Sequence, residues 1–198
     1  FYFYKDILNF LENKILFLKI FISSIPVLVI GFVLVKSGLI EIFRNTETIA
    51  WTTFLFGILL YLSDKFKLKN SIKRNFGYKS AIFIGVFQVL SLIPGVSRSG
   101  IAITSARILN FKRVDSAKIS FLLSIPILGA ISVFGIRNIL ISDTIDFTLI
   151  NLLAISLSFL FSLITIKFFL SYINKFSLNI FAYYRVLLGI LLLAIVYL

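Results

Sequence analysis

Residues 81–109 read AIFIGVFQVLSLIPGVSRSGIAITSARIL, two short apolar stretches separated by a polar turn. The first stretch, residues 81–93, would form a helix roughly 20 Å long at about 1.5 Å per residue. A bilayer core is about 30 Å thick, so this helix is too short to cross it. Pro94 and Gly95 then break the helix. A second short helix is expected at 99–109.

Basic residues flank this region on both sides. They are Lys73, Arg74 and Lys79 before it, and Arg107, Lys112, Arg113 and Lys118 at and after its end. Because both flanks are basic, the two ends of this region should lie on the same side of the membrane. The pattern therefore predicts a re-entrant helix hairpin rather than a span. Non-helical backbone at that depth is tolerated where it is buried in protein or lines a wet cavity.

The rest of the chain is typical of an integral membrane protein. Of its 198 residues, 60% are hydrophobic and 14% are charged, against about 45–50% and about 25% in soluble domains. Long apolar runs predict membrane-spanning helices at 15–35, 48–62, 119–136, 147–169 and 178–198. We therefore expect an all-α integral membrane fold, a polytopic helix bundle with a re-entrant hairpin, in a single transmembrane domain covering residues 1–198.

The charge distribution indicates topology rather than nucleic-acid binding. The net charge is +12, but six of the twenty basic residues fall in the hydrophilic loop 64–79 and most others flank apolar runs. Cytoplasmic loops carry such an excess of lysine and arginine. With 64–79 inside, the loops 36–47 and 137–146 fall outside and the segment 167–175 falls inside. Nucleic acid is not an expected partner, and the lipid bilayer is.

The polar turn has the composition of an anion site. An arginine inside a membrane is costly, so Arg98 is a functional candidate. Ser97 or Ser99 can cap the following helix, whose N-terminus presents free N–H groups and partial positive charge. Gly95 and Gly100 allow backbone N–H groups to approach a ligand. The group suits phosphate or pyrophosphate, although a lone arginine near a helix end can instead extend to the membrane interface.

Other candidates have two interpretations each. A buried Gln88 must hydrogen-bond either a neighbouring helix or the ligand. Thr104 could face the same cavity, but hydroxyls in membrane helices often bond to their own carbonyls. Arg185, next to Tyr184, is either an interface anchor in an aromatic belt or a second cation at the site.

The residues that are absent narrow the chemistry. The chain has no cysteine and no histidine, which excludes disulfides, thiolate metal sites and the commonest general base. None of the eight carboxylates lies inside an apolar run, so we predict no metal-ligand set. Phosphoryl chemistry often uses a metal held by carboxylates. The residues alone therefore predict a membrane protein with a buried phosphate or pyrophosphate site.

Residues 77–130, GYKSAIFIGVFQVLSLIPGVSRSGIAITSARILNFKRVDSAKISFLLSIPILGA, resemble the bacterial undecaprenyl-pyrophosphate phosphatase family, which is associated with bacitracin resistance. The family's P-G-x-S-R-S-G is present at 94–100, its F-Q at 87–88 and its F-x-x-Y-R at 181–185. The resemblance implies a helical fold with two re-entrant hairpins in an inverted repeat. It also implies a multi-pass enzyme of the bacterial inner membrane that removes the terminal phosphate of a C55 isoprenyl pyrophosphate, with a homodimer as an open option.

The resemblance also implies roles for individual residues. Arg98 would hold the pyrophosphate, and Ser97 and Ser99 would contact phosphate oxygens or serve the displacement step. Gln88 would line the same cavity. A divalent cation, magnesium or calcium, would assist.

Two features depart from the family pattern. Ala102 stands where the family has threonine, and Thr104 would project about 200° away from that position on a helix. The family's acidic E-G-x-T-E-F-x-P-x-S-S motif and its nearby histidine are not in this sequence. We therefore expect that the N-terminal part of the family fold, with the first hairpin and the acidic half of the site, precedes Phe1.

Two other functions remain as alternatives. The same hairpin could bind phosphate in a transporter or flippase of a phosphorylated lipid, because transporters with inverted repeats place their sites near the midplane. The chain could also be a catalytically incomplete remnant or a partner subunit.

Overall fold

The computed structural model describes residues 13–141 and 149–198, so parts of the predicted loop 137–146 and of the predicted span 147–169 lie outside the described residues. Within these ranges the chain forms seven α-helices of eleven or more residues, a four-residue α-helix at Ile72–Asn75, and no β-strand. The helices are α1 Lys14–Ser37, α2 Thr46–Asp64, α3 Tyr78–Val89, α4 Arg98–Ile108, α5 Arg113–Ile141, α6 Leu149–Lys175 and α7 Asn179–Tyr197. Shorter helical turns are Leu39–Phe43, Ile72–Asn75 and Leu90–Leu92.

Five of these helices, α1, α2, α5, α6 and α7, are long and apolar enough to cross a membrane. They coincide with the five predicted runs: α1, α2, α5 and α6 extend beyond their runs in at least one direction, and α7 is one residue shorter than its run at each end. Local signals set some of their ends: α1 stops at Gly38, whose φ is 71°, and the Asn45 side chain caps α2 by accepting from Thr48 N at 2.7 Å. The predicted all-α integral membrane bundle is confirmed.

Helices α3 and α4 form the re-entrant hairpin that the sequence predicts. They have 12 and 11 residues, and both ends of the pair meet at one end of the bundle. Lys69 N and Asn70 N donate to Asn110 O at 3.0 and 2.9 Å, and Lys112 N donates to Asn70 O at 3.0 Å. We call this end the basic face, defined as residues 65–77, 109–112 and 176–178.

Helix α4 lies in the protein interior. All its residues from Ile101 to Arg107 are buried, because α2, α3 and α5 pack around it. On its α3 side the apolar core consists of Ile20, Phe76, Ala81, Ile84, Ala102, Ala106, Phe111, Ile119, Leu122 and Leu123. Helix α3 approaches α1 so closely that a Cβ on Gly85 would lie 2.3 Å from the carbonyl oxygen of Ser23.

Helices α2 and α7 pack side by side in opposite directions. A Cβ on Gly189 would lie 2.7 Å from the backbone of Phe54, and a Cβ on Gly57 would lie 3.1 Å from the Cβ of Arg185. Small residues allow this approach between membrane helices. The pairing places Arg185 deep in the bundle.

Asp64 ties several segments together at the basic face. Its side chain is only 2% exposed, although the sequence placed it in a hydrophilic loop. It accepts from Arg113 Nε at 2.8 Å, from Arg107 Nε at 3.3 Å and from Leu178 N at 3.0 Å. Arg107 also donates to the carbonyl of Phe111. This Asp64 clamp therefore joins the end of α2, the end of α4, the start of α5 and the start of α7.

Candidate functional site

The turn between α3 and α4, residues 93–97, forms the tip of the hairpin. Val96 N donates to Ile93 O at 3.3 Å. Gly95 and Ser97 both have positive φ, 89° and 70°. For serine this conformation costs of order 1–3 kcal/mol, and such strain clusters at ligand sites.

Side chains from α2 and α7 hold the tip in place. Thr52 Oγ1 donates to Pro94 O at 2.6 Å, and Arg185 Nη2 donates to Gly95 O at 2.6 Å. Only glycine fits at position 95, because a Cβ there would lie 2.1 Å from Thr52 Oγ1. The carbonyls of Pro94 and Gly95 therefore accept hydrogen bonds from side chains of α2 and α7.

The tip lies beyond the middle of the bundle. Thr52 is six residues after the start of α2 and twelve before its end, which corresponds to about 9 and 18 Å of helix. The hairpin therefore enters from the basic face and reaches past the midpoint.

The N-terminus of α4 presents donors at the tip. Ser97 is the N-cap, and its Oγ accepts from Gly100 N at 3.2 Å, while Ile101 N donates to Ser97 O at 3.0 Å. The N–H groups of Arg98 and Ser99 belong to the first turn, which has no intrahelical acceptors. Ser99 Oγ lies 3.5 Å from Ser97 Oγ, and both serines are exposed.

Two guanidinium groups add positive charge to these donors. Arg98 is half-buried, and in residues 13–141 and 149–198 its side chain makes no hydrogen bond and no ion pair. Arg185 is part-buried against Gly95, and no carboxylate in the described chain pairs with it. The serine hydroxyls, the helix N-terminus and both arginines together favour an anion.

The structure answers the two-sided question about Arg185. Its hydrogen bond to Gly95 O places the guanidinium at the tip, which favours a second cation at the site over an interface anchor. Its neighbour Tyr184 is not brought to the tip: the tyrosine side chain is 65% exposed. Consecutive residues on a helix point about 100° apart, so the two side chains occupy different faces of α7.

Gln88 and Thr104 lie deeper in the hairpin. Gln88 is 1% exposed, and neither of its side-chain polar atoms has a hydrogen-bond partner among the described residues. The described helices therefore do not supply the partner that a buried amide needs. Thr104 is 2% exposed and lies about two turns from Ser97, within the packed interior of α4.

Sequence reasoning missed Thr52, which orients the tip from 42 residues away. Its neighbour Thr53 contributes a second hydroxyl, with Oγ1 3.4 Å from Gly95 O. Two adjacent hydroxyls inside the apolar run 48–62 were the available signal, since buried hydroxyls need partners.

The donors at the tip do not fit a divalent cation. Magnesium and calcium prefer carboxylate and carbonyl oxygens, whereas the tip presents guanidinium, hydroxyl and N–H groups and its carbonyls of Pro94 and Gly95 already accept hydrogen bonds. Across the described residues no group of three acidic side chains could hold a metal.

The fold defines a multi-pass membrane protein whose hairpin tip gathers serine hydroxyls, a helix N-terminus and two arginines. The sequence profile of the family described as bacitracin resistance protein BacA matches residues 1–191. The chain belongs to this family, in agreement with the resemblance of its central motif.

Curated relatives have consistent names. The undecaprenyl-diphosphatase of Pelagibacter ubique (strain HTCC1062) is 48% identical over 198 residues, covering 100% of this chain and 77% of the relative. That of Elusimicrobium minutum (strain Pei191) is 37% identical over 182 residues, covering 92% of this chain and 68% of the relative. That of Bdellovibrio bacteriovorus is 30% identical over 195 residues, covering 96% of this chain and 73% of the relative.

Proposed function

We propose that this protein hydrolyses undecaprenyl pyrophosphate to undecaprenyl phosphate and phosphate, which recycles the lipid carrier for peptidoglycan synthesis. Membership of the BacA family and the names of the curated relatives support this function. The observation that carries it is the tip itself, where Arg98 has no partner among the described residues and stands at a helix N-terminus. That arrangement is suited to a pyrophosphate.

The reaction requires the attack of water on the terminal phosphorus. The bond between that phosphorus and the bridging oxygen breaks, which releases inorganic phosphate and leaves the lipid monophosphate. Negative charge is spread over the transferred oxygens and the leaving oxygen in the transition state. Donors that are fixed in advance stabilise such charge most effectively.

We assign the described residues to binding and charge stabilisation. Arg98 and the first N–H groups of α4 bind the pyrophosphate oxygens. Ser97 and Ser99 donate hydroxyl hydrogen bonds to non-bridging oxygens or serve the displacement step. Arg185 adds a second positive charge and, through Gly95 O, fixes the tip. We assign Gln88, whose buried amide has no partner in the described helices, to the polar lining of the same cavity.

We also propose the bacterial inner membrane as the location, with the basic face in the cytoplasm. The excess of lysine and arginine in the 64–79 loop supports this orientation. The tip then lies in the outer half of the membrane, where a pyrophosphate head group exposed on the periplasmic side could reach it.

Replacing Arg98 with alanine in the full-length protein tests the proposal. Loss of one preorganised charge donor costs roughly 100- to 1,000-fold in kcat, and release of phosphate from the lipid pyrophosphate measures it. Arg44→Ala is the matched control, because Arg44 is an exposed arginine whose partner is Glu41, at 3.0 Å. Near-wild-type activity of Arg98→Ala would show that the assignment is wrong. Lipid translocation in proteoliposomes without phosphate release would favour the transporter instead.

A further inference from the structure

A second cationic feature lies on the basic face, at the end of the bundle from which the hairpin enters. Residues 65–69 alternate cationic and apolar side chains, and all five are exposed: Lys65, Phe66, Lys67, Leu68 and Lys69. They line a groove of about 620 Å³, which we call the lysine groove. Asp64, Arg113, Ser177 and Asn179 complete its walls.

The lysine groove has an uncompensated positive charge. Asp64 is its one acidic lining residue, and that carboxylate is already shared by Arg107 and Arg113. Lys65 Nζ lies 4.3 Å from the centre of the Tyr61 ring. In residues 13–141 and 149–198 no ion pair involves the three lysines of the groove. An anion would therefore be attracted to the groove.

The apolar residues of the groove indicate what kind of anion this is. Phe66 and Leu68 are each 46% exposed and stand between the lysines, just beyond the end of a membrane-spanning helix. A segment of this composition lies at the boundary between head groups and acyl chains. Lysine stems run along such apolar surface while their ammonium groups reach the head groups. Ser177 and Asn179, which also line the groove, bring a hydroxyl and an amide.

We propose that the lysine groove binds the phosphodiester head group of an anionic phospholipid of the cytoplasmic leaflet. The groove is separate from the tip, which lies about 18 Å of helix away along α2. Cytoplasmic anionic lipids attract basic segments next to spans. The general excess of positive charge in cytoplasmic loops does not require three cations to converge on one groove.

Native mass spectrometry of the full-length protein with phosphatidylglycerol or phosphatidylcholine tests the proposal. The test variant is Lys65→Gln/Lys67→Gln/Lys69→Gln. The matched control, Lys73→Gln/Arg74→Gln/Lys79→Gln, removes the same charge from the same loop but from residues outside the groove lining.

We expect the protein to retain phosphatidylglycerol in preference to phosphatidylcholine. Each lysine near the membrane surface raises the affinity for an anionic lipid roughly fivefold. The groove variant should therefore bind phosphatidylglycerol at least about tenfold more weakly than wild type. The loop control should stay within about twofold of wild type. Lys67→Gln alone should give an intermediate loss, and thermal unfolding checks that each variant is folded.

Three results would overturn the proposal. Equal losses in the groove variant and in the loop control would show that only the total loop charge matters. Equal retention of both lipids would exclude an anionic head group. Displacement of phosphatidylglycerol by inorganic phosphate at matched concentration would assign the groove to free phosphate. None of these results bears on phosphate release at Arg98, so they leave the hydrolase proposal unaffected.

Discussion

Replacing Gly100 with alanine should lower the activity of the hairpin more than its stability. A Cβ at this position would lie 2.6 Å from Arg185 Nη1 and 3.1 Å from Ser97 Oγ. The first distance is too short for a Cβ contact, so the guanidinium of Arg185 must move. That movement breaks its hydrogen bond to Gly95 O, which is 2.6 Å long.

The size of the effect follows from that hydrogen bond. A hydrogen bond from a charged group is worth about 1.5–3 kcal/mol, and each 1.36 kcal/mol corresponds to a factor of ten in rate. We therefore expect kcat/KM to fall roughly 10- to 150-fold. Gly100 lies within α4, where alanine favours the helix over glycine by up to about 1 kcal/mol. The lost hydrogen bond outweighs this gain, so the free energy of unfolding should fall by no more than about 2 kcal/mol.

Phosphate release from the lipid pyrophosphate and thermal unfolding in detergent measure the two effects. Gly129→Ala is the control, because Gly129 is also a helical glycine and its Cβ would meet nothing within 4 Å. The losses from Gly100→Ala and Arg185→Ala should not add, because both remove one contact. Activity of Gly100→Ala within twofold of wild type, or losses that multiply in the double variant, would refute the reasoning.

Two further predictions concern stability. Gly85→Ala should lower the free energy of unfolding by about 1–3 kcal/mol, because its Cβ would lie 2.3 Å from the backbone oxygen of Ser23; an unchanged unfolding temperature would mean that α1 and α3 separate easily. Asp64→Asn should cost about 3–5 kcal/mol, because it leaves the buried Arg107 without its counter-charge. Glu41→Gln, at an exposed pair, is the control for the second, and equal unfolding temperatures of these two variants would contradict the clamp.

The hairpin could be predicted from the length of its helices and the charge of its flanks. Residues 81–93 are too few to cross about 30 Å of hydrocarbon, and no tertiary information was needed to see it. The hydrogen bond from Asn70 N to Asn110 O joins the two ends of the hairpin and confirms this prediction. The anion-site composition of residues 94–100 was equally local, because one continuous segment contains the arginine, the capping serines and the glycines.

Residues contributed by distant helices could not be assigned in the same way. Arg185 stands beside Tyr184, and its local sequence suits an interface anchor as well as a site. The close packing of α2 against α7 at Gly57 and Gly189 is what brings its guanidinium to the tip. Asp64 was misjudged for a related reason: a carboxylate at the end of an apolar run is usually solvated, and its burial depends on arginines more than forty residues away.

The depth of the tip has an electrical consequence. A polar turn past the midpoint, open to water on one side, leaves only about 18 Å of helix length to insulate the membrane. That remaining thickness is filled by the dry cluster that runs from Ala102 to Phe111, and the fully buried Arg107 sits at its far end. Most of the membrane voltage should therefore fall across this thin layer. The same layer that supports the hairpin is thus the barrier that keeps a wet site from becoming a leak for protons.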